Sequence, residues 1–477
     1  MRRQILQGLA VQTLFSTSRC QSLPAVPQSN VWNSSFSLDK EQTQFADLDN
    51  ITAQSLETAI RFERPNWAGN SAVGDSFYHA PNNTDHLPPG TLLRVQETTD
   101  TTVYNLPPAT ALSRFLFQSE TLNGSSLPAS GYVLWPWMPR EDPRCPGKYA
   151  VVVWAHGLSG VFGECAPSHI RNLWYQYSAP YILALQGYVV VAPDYAGLGV
   201  SRYANGTDIK HTLLAGPAQA NDLFNGFLAA RQAFPVLSEN FVIVGHSEGG
   251  AAAWAAAQRQ VRRPVPGYLG AISASPSTDV RRVLALNPSF NLVVAFLAGQ
   301  AMDHIFPDFD LALWLTEKGV KLLNVLRDIQ ACNSALSQTI VQPGLVRSDW
   351  KNASHYLNTF GEITNNAGKP FAGPMLVLQG ANDSSVPTQS VSEAYNETCQ
   401  LYPESQLEYV VFQGVDHVPT LYAGQRIWLD WIADRFAGNQ TTKGCSQRTL
   451  TPARPIESYQ KQLAYYLQLA TDPYMVA

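Results

Sequence analysis

From residue 149 onward, short runs of β-branched and other apolar residues recur along the chain and predict buried strands. The runs are Tyr149–Ala155, Tyr188–Ala192, Phe241–Gly245 and Met375–Gln379, with Leu407–Phe412 as a further candidate. Runs without polar alternation are typical of strands buried on both faces, as in a parallel sheet. Segments with helical spacing lie between them, at Asn172–Gln186, Ala218–Ala233 and Gly249–Gln260. Alternating strands and helices predict a doubly wound α/β core.

Two other stretches differ from this rhythm. Extended segments at Thr91–Glu97, Ser113–Glu120 and Gly131–Pro136 are separated by proline-rich turns, which predicts an antiparallel β region feeding the sheet. About 100 residues from Ser277 to near Gly373 carry helix-like apolar spacing and few strand signals. The clearest helices there are Val283–Met302 and Phe309–Leu326. The first could face acyl chains or pack onto the core. An insertion of this size between late strands predicts a helical cap.

The first 75 residues are rich in Ser, Asn, Gln and Thr and show little periodicity. This composition predicts a leader followed by a loose extension. The predicted organisation is a candidate signal peptide over 1–20, a loose N-terminal extension over 21–75, the first part of the core over 76–276, a helical cap over 277–373, the second part of the core over 374–445 and a C-terminal tail over 446–477.

Composition excludes several classes of protein. Of the 477 residues, 45% are hydrophobic and 11% aromatic, which is enough to bury a large core. The net charge is −5 and no basic surface dominates, so nucleic acid loses its main electrostatic attraction as a partner. The sequence contains no uninterrupted run of about 18 apolar residues, so we expect no transmembrane segment.

Six cysteines without a C-x-x-C pair indicate disulfides or buried thiols rather than a zinc site. Nine N-x-[ST] sequons exceed chance and favour a secreted glycoprotein. Arg2 and Arg3 before the apolar stretch Ile5–Phe15 make a weak signal peptide, so an intracellular chain is the alternative. The sequon at Asn382 is read as accidental, because it adjoins a candidate catalytic residue. The sequons begin at Asn33, Asn50, Asn82, Asn123, Asn205, Asn352, Asn382, Asn396 and Asn439.

The strongest chemical signal is the pentapeptide Gly245–Gly249, which reads GHSEG. It follows a predicted strand and opens a helix of small residues. A serine at such a tight turn needs glycines on both sides, because close packing leaves no room for Cβ atoms. This context predicts that Ser247 is a nucleophile with its hydroxyl exposed at the end of the sheet.

A serine hydroxyl needs a base and an orienting acid, which follow it along the chain in this fold class. His417 comes after the strand LEYVVF, whereas the alternative, His355, lies in the predicted cap. Asp383 comes directly after the strand MLVLQG. Its rival Asp416 is poorly placed to bond the side chain of its sequence neighbour. We therefore predict the triad Ser247, Asp383 and His417.

An oxyanion hole needs two N–H donors beside the nucleophile. One prediction is the backbone N–H of Glu248, the residue after the serine. The other is the N–H of Leu158 in the His156–Leu158 loop after YAVVVWA, with a donor further along that loop as the alternative. His156 is predicted to order this loop.

The motifs GHSEGG, PDYAGLG and DSFYHAP, the HG loop and the stretch Leu112–Pro136 together resemble the fungal secretory lipase family of the lipase A type. The resemblance spans roughly 75–456. It implies an α/β-hydrolase fold, a mostly parallel doubly wound sheet with an inserted helical cap, acting on carboxylic esters with the same triad. It also implies disulfides pairing Cys165 with Cys332 and Cys399 with Cys445, which leaves Cys20 and Cys145. Glu248 departs from the family, since related lipases can carry smaller residues there.

The expected function is that of a serine carboxylic-ester hydrolase, a lipase or esterase working through an acyl-enzyme. The alternatives are a deacetylase of a fungal secondary metabolite, an acyltransferase or peptidase using the same acyl-enzyme, and a non-catalytic binding module. Neither a metal nor an organic cofactor is implied. The expected partner is a small-molecule or lipid ester, with transient contact at a lipid interface. The sequence leaves the oligomeric state open.

Overall fold

The computed structural model describes residues 36–69, 71–286, 291–349 and 354–460, and within them eleven strands form one sheet. The order across the sheet is β1-β2-β3-β6-β5-β7-β8-β9-β10-β11, with β4 paired to β5. The strands are β1 (Leu92–Gln96), β2 (Thr110–Glu120), β3 (Ser126–Pro136), β4 (Glu141–Asp142), β5 (Cys145–Ala155), β6 (Val189–Pro193), β7 (Leu237–His246), β8 (Tyr268–Ala274), β9 (Met375–Gly380), β10 (Leu407–Phe412) and β11 (Cys445–Leu450).

The sheet divides into an antiparallel and a parallel part. Strands β1, β2, β3 and β6 pair antiparallel. From β6 through β5 and β7 to β11 every pair on the main path is parallel. The predicted α/β-hydrolase architecture, with an antiparallel region feeding a mostly parallel sheet, is confirmed.

The described helices cover both faces of this sheet and a region beyond it. They are α1 (Lys40–Phe45), α2 (Asn50–Glu63), α3 (Pro180–Leu185), α4 (Gly216–Ala233), α5 (Glu248–Arg262), α6 (Val280–Leu286), α7 (Asn291–Ile305), α8 (Glu317–Asp328), α9 (Asn333–Thr339), α10 (Ser354–Thr364), α11 (Thr388–Leu401), α12 (Pro419–Ala423) and α13 (Gln425–Ala437).

Alternate residues of β5 show why helices pack on both faces. Val151 and Val153 share a buried cluster with side chains of α4 and α5. Val152 and Trp154 share a different cluster with side chains of α3 and α13. Because successive strand residues point to opposite faces, a fully apolar strand needs a helix layer on each side.

Between β8 and β9 the chain forms α6 to α10, the segment predicted to be a cap. Its apolar side chains form a third buried cluster, the cap cluster, which includes Phe296, Met302, Trp314 and Leu322. The predicted helix Val283–Met302 is represented by α6 and α7, and its residues 287–290 lie outside the described part. The predicted helix Phe309–Leu326 begins later, at Glu317, where Thr316 caps α8 by accepting from the N–H of Gly319. The cap boundaries remain a prediction.

The extension predicted to be loose contains two helices in its described part. Asp39 and Gln42 form a capping box at α1, and Asp49 caps α2. Leu56, Ala59 and Ile60 bury against the cap cluster, which stabilises α2. The spacing of these three residues was a helix signal hidden in a polar composition.

Three other segments of the structure differ from the sequence prediction. Asn172–Gln186 is not one helix, because Leu173, Trp174 and Gln176 have positive φ and the only α-helix in it is α3, which begins at Pro180. The sequence pattern does not predict strand β8, because glycine interrupts its apolar run, YLGAISA. Strand β11 extends the sheet into the predicted tail, although its side chains are largely exposed.

Disulfides join Cys165 to Cys332 and Cys399 to Cys445, with Cα–Cα distances of 5.4 and 6.0 Å, as the family resemblance implied. Cys145 is half-buried and unpaired, and Cys20 lies outside the described residues. Every sequon asparagine in the described part is exposed; Asn33 and Asn352 lie outside it.

Candidate active site

Ser247 occupies a strained turn between β7 and α5. Its φ of 60° and ψ of −120° are unfavourable for a residue with a Cβ atom, and its N–H donates to Ala274 O at 2.8 Å. A Cβ on Gly245 would collide with Gly249 O, and one on Gly249 would collide with Ala155 O. The flanking glycines therefore let strand, turn and helix approach closely enough to hold the serine at the carboxyl edge of the sheet.

The carboxylate of Asp383 and the imidazole of His417 are joined directly. His417 Nδ1 lies 2.8 Å from Asp383 Oδ2, and the carboxylate side chain is fully buried. Both residues follow parallel neighbours, β9 and β10, so their loops leave the same edge of the sheet. Asp383 is thus placed to fix the imidazole with Nδ1 protonated, which leaves Nε2 to act as a base.

Further donors surround the carboxylate of Asp383. Its Oδ1 accepts from the N–H groups of Ser385 and Val386 at 3.0 and 2.7 Å, and its Oδ2 also accepts from Gln379 Nε2 at 3.0 Å. Burial raises the pKa of Asp383, but the charge and N–H of His417 with these backbone donors hold it below the usual value. Gln379 was not predicted. Its signal was a polar residue ending an otherwise apolar strand.

The rival acid and the rival base have other surroundings. The carboxylate of Asp416 accepts from the N–H and hydroxyl of Ser384 at 2.8 and 2.9 Å, so it holds the turn after Asp383. His355 is exposed on α10. The predicted acid and base therefore lie together, and neither alternative joins them.

His246 links the nucleophile turn to the His417 loop. Its ring centroid lies 4.6 Å from that of His417, and its Nε2 is 3.2 Å from His417 O. Because a carbonyl only accepts, Nε2 carries the proton, and burial lowers the pKa of His246 to about 3, so the ring stays neutral. Its Nδ1 then accepts from the Tyr175 hydroxyl at 2.7 Å. Tyr175 is a second residue of the site that the sequence did not reveal.

The predicted oxyanion loop lies against Ser247. A Cβ on Gly157 would sit 3.1 Å from Ser247 Cβ and would collide with the Tyr175 hydroxyl, so only glycine fits there. Leu158 follows directly and is half-buried. Glu248 is the first residue of α5, and N–H groups in the first turn of a helix have no intrahelical acceptor. Both predicted donors are therefore carried by segments adjacent to the serine.

His156 holds the start of this loop, as expected. Its Nδ1 lies 2.8 Å from Gly157 O and its Nε2 3.1 Å from Asp194 O, and its ring stacks on Tyr195. Burial lowers the pKa of His156 to about 4.

Two features of the described residues bear on metal binding and on membrane insertion. These residues contain no group of three or more His, Cys, Asp or Glu side chains placed to hold a metal ion. No helix in the same part of the chain combines the length and apolarity that crossing a bilayer requires.

Comparison with known proteins identifies the class. A sequence model of the alpha/beta hydrolase family matches residues 152–427. This stretch carries all three predicted triad residues and both oxyanion segments. The chain belongs to the alpha/beta hydrolase family.

Within that family the similar proteins include fungal lipases. The chain is 23% identical over 405 residues to Lipase 4 of Candida albicans, covering 78% of this chain and 83% of that protein. It is also 23% identical over 402 residues to the secreted triacylglycerol lipase LIP7 of Malassezia globosa, covering 78% and 81%.

Solved structures agree on the fold. Candida antarctica lipase A superposes with a TM-score of 0.65 at 17% identity, covering 80% of this chain and 90% of that chain. A mutant of the rice cell wall degrading esterase LipA from Xanthomonas oryzae gives 0.59 at 20% identity, covering 73% and 99%. The predicted resemblance to the lipase A type is confirmed.

Proposed function

We propose that this protein is a serine carboxylic-ester hydrolase that works through an acyl-enzyme on Ser247. The enzyme class, a carboxylic ester hydrolase, is supported by the lipase relatives. The observation that carries the finer proposal is the 2.8 Å contact between Asp383 and His417, together with a serine in a strained strand-to-helix turn whose neighbour His246 contacts the His417 ring. These are the parts that activate a hydroxyl as a nucleophile.

The proposed reaction has two halves. His417 Nε2 takes the proton of Ser247 as its Oγ attacks the ester carbonyl, and Asp383 stabilises the imidazolium that forms. The imidazolium then gives its proton to the leaving alcohol, and the acyl group remains on Ser247. In the second half His417 deprotonates a water, which attacks the acyl-enzyme and releases the carboxylic acid.

The N–H groups of Glu248 and Leu158 are proposed to stabilise the oxyanion in both halves. This proposal is supported by their locations, one at the start of α5 and the other directly after Gly157, whose Cα lies against Ser247. Donors that need no reorganisation are worth roughly 3–4 kcal/mol each in transition-state stabilisation.

The proposed substrate is an ester with an apolar acyl chain. Support comes from the apolar cap cluster, which includes Val161, Phe162 and Leu198 as well as the cap helices, and against which Leu158 packs. It also comes from the Malassezia relative, whose name states triacylglycerol lipase. Faster hydrolysis of short-chain esters than of long-chain esters would support the deacetylase alternative.

Secretion is proposed on three observations. One relative is named as secreted, two disulfides are present, and the described sequon asparagines are exposed. Recovery of the full-length chain from yeast culture medium, with a mass that falls on deglycosylation, would support it. Retention of an unglycosylated chain inside the cell would contradict it.

The function is tested by hydrolysis of p-nitrophenyl esters from acetyl to palmitoyl, with Ser247→Ala in parallel. We expect turnover that rises with acyl length and that falls to background in the variant. Undiminished turnover by Ser247→Ala would contradict the proposed nucleophile. Transfer of the acyl group to an added alcohol, with little free acid, would support an acyltransferase instead.

A further inference from the structure

The residue after the nucleophile carries a carboxylate that is buried beside the reaction centre. Glu248 is 2% exposed, and its N–H is the proposed oxyanion donor. Its Oε1 accepts from the N–H of Leu214 at 2.9 Å and from Gln219 Nε2 at 2.5 Å. Burial raises the pKa of Glu248, but His211 and the Leu214 N–H outweigh it and hold the pKa below its usual value. The side chain is therefore an anion.

His211 faces this anion. Its Nδ1 lies 3.0 Å from Ala196 O, so Nδ1 carries a proton, because a carbonyl only accepts. Its Nε2 lies 3.7 Å from Glu248 Oε1. Both side chains are buried, so the His211 ring, held by Ala196 O, packs against the carboxylate oxygen that accepts from Leu214.

The segment from Lys210 to Leu214 also contacts the cap. His304 Nδ1 on α7 lies 2.7 Å from His211 O, and Lys210 Nζ lies 3.3 Å from Asp303 Oδ2. Leu214 has a φ of 60°, which is unusual for a leucine, and its side chain packs against the cap cluster. Leu158, which carries the other proposed oxyanion donor, packs against the same cluster.

We infer that Glu248 is a positioning residue. Its carboxylate fixes Leu214 in the left-handed conformation, so that the Lys210–Leu214 segment forms the wall of the acyl site next to Ser247. The His211 ring packs against the same carboxylate and keeps it in place beside Leu214. This inference rests on the proposed function, and it deepens it by assigning acyl selectivity to a residue outside the triad.

The test measures kcat and KM for the p-nitrophenyl ester series with Glu248→Ala, Glu248→Gln and His211→Asn. Alanine removes the acceptor for Leu214, so the ratio of kcat/KM between the preferred and the acetyl ester should fall about ten-fold. Glutamine keeps an acceptor oxygen and should restore most of that ratio. His211→Asn removes the ring that packs against the carboxylate, so the same ratio should fall, by less than in Glu248→Ala.

Asp142→Asn is the matched control. Asp142 is another buried carboxylate; it accepts from Asn240 Nδ2, Arg144 N and Ser238 Oγ at the other end of the sheet. The Asp142→Asn variant should have a lower free energy of unfolding but an unchanged acyl selectivity. Glu248→Ala with an unchanged selectivity ratio would overturn the inference. If Glu248→Ala does not fold, an unchanged selectivity ratio in His211→Asn would overturn it instead. A wild-type protein that hydrolyses no ester would instead overturn the proposed function, and this inference with it.

Discussion

His417 Nδ1 lies 2.8 Å from Asp383 Oδ2, and the same carboxylate oxygen also accepts from Gln379 Nε2. The contact joins residues that are 34 positions apart in the chain, across the ends of two adjacent parallel strands. It holds the imidazole in the tautomer that a serine base requires.

Replacing Asp383 by asparagine should therefore disable the base while preserving the fold. An amide can donate to Nδ1 and so favours the wrong tautomer, and we expect kcat to fall by roughly 10³–10⁴-fold with little change in KM. Steady-state kinetics with a soluble ester measures this. Asp416→Asn is the control and should stay within a few-fold of wild type, because Asp416 holds the Ser384 turn. Equal losses in both variants would count against the assignment.

Gln379→Leu should lower kcat by about ten-fold, because the Asp383 carboxylate loses a hydrogen bond to a buried donor, worth about 1–2 kcal/mol. The measured rate should therefore fall by the same factor at every substrate concentration, with KM unchanged. Gln118→Leu, which changes another fully buried glutamine on β2, should leave kcat unchanged. If Gln379→Leu changes only thermal stability, Gln379 has no part in orienting the acid.

Glu63, at the junction of α2 and α9, should make the free energy of unfolding depend on pH. Its carboxylate accepts from the N–H groups of Cys332 and Ala335 at 2.8 Å each, and burial raises its pKa from 4.5 to about 7. The folded protein therefore binds more protons than the unfolded chain between these values. The contribution of Glu63 is present below about pH 4.5 and is lost as pH rises through about 7.

Chemical denaturation of wild type and Glu63→Gln at pH 4.5 and pH 8 tests this. Relative to the variant, wild type should lose on the order of 3 kcal/mol of unfolding free energy between the two pH values, at about 1.4 kcal/mol per pKa unit. Parallel pH dependences in the two proteins would refute a role for Glu63.

The two disulfides should differ in their effect on stability. Cys165 and Cys332 are 167 residues apart, whereas Cys399 and Cys445 are 46 apart. Closing the longer loop removes more entropy from the unfolded chain, so replacing the first pair by serines should cost about 1 kcal/mol more than replacing the second. Urea denaturation of the two double variants measures the difference. A larger loss from the Cys399–Cys445 pair would show that strain or packing dominates over loop entropy.

The sequence pattern predicted the elements whose own residues show their burial, above all the central strands. The runs at β5, β6, β7, β9 and β10 were visible because strands buried on both faces carry no polar alternation. For the same reason β11, an exposed edge strand with polar residues, was missed. Helix α2 was missed because its stability comes from three apolar residues that pack on a distant cap.

The candidate site followed a similar division. Ser247, Asp383 and His417 could be named because each follows a recognisable strand, and parallel strands bring such loops to one edge. Tyr175 and His211 could not be named. They come from loops with positive φ or polar composition, and only tertiary packing brings them to His246 and Glu248.

Covalent modification of Ser247, assisted by His417 and Asp383, is the step on which the proposed function depends. The most direct measurement is mass spectrometry of the protein after reaction with a p-nitrophenyl alkylphosphonate, followed by peptide mapping. We predict one adduct per chain, located on Ser247, absent in Ser247→Ala and formed much more slowly in Asp383→Asn. An adduct on another residue, or none in a preparation that hydrolyses esters, would contradict the account.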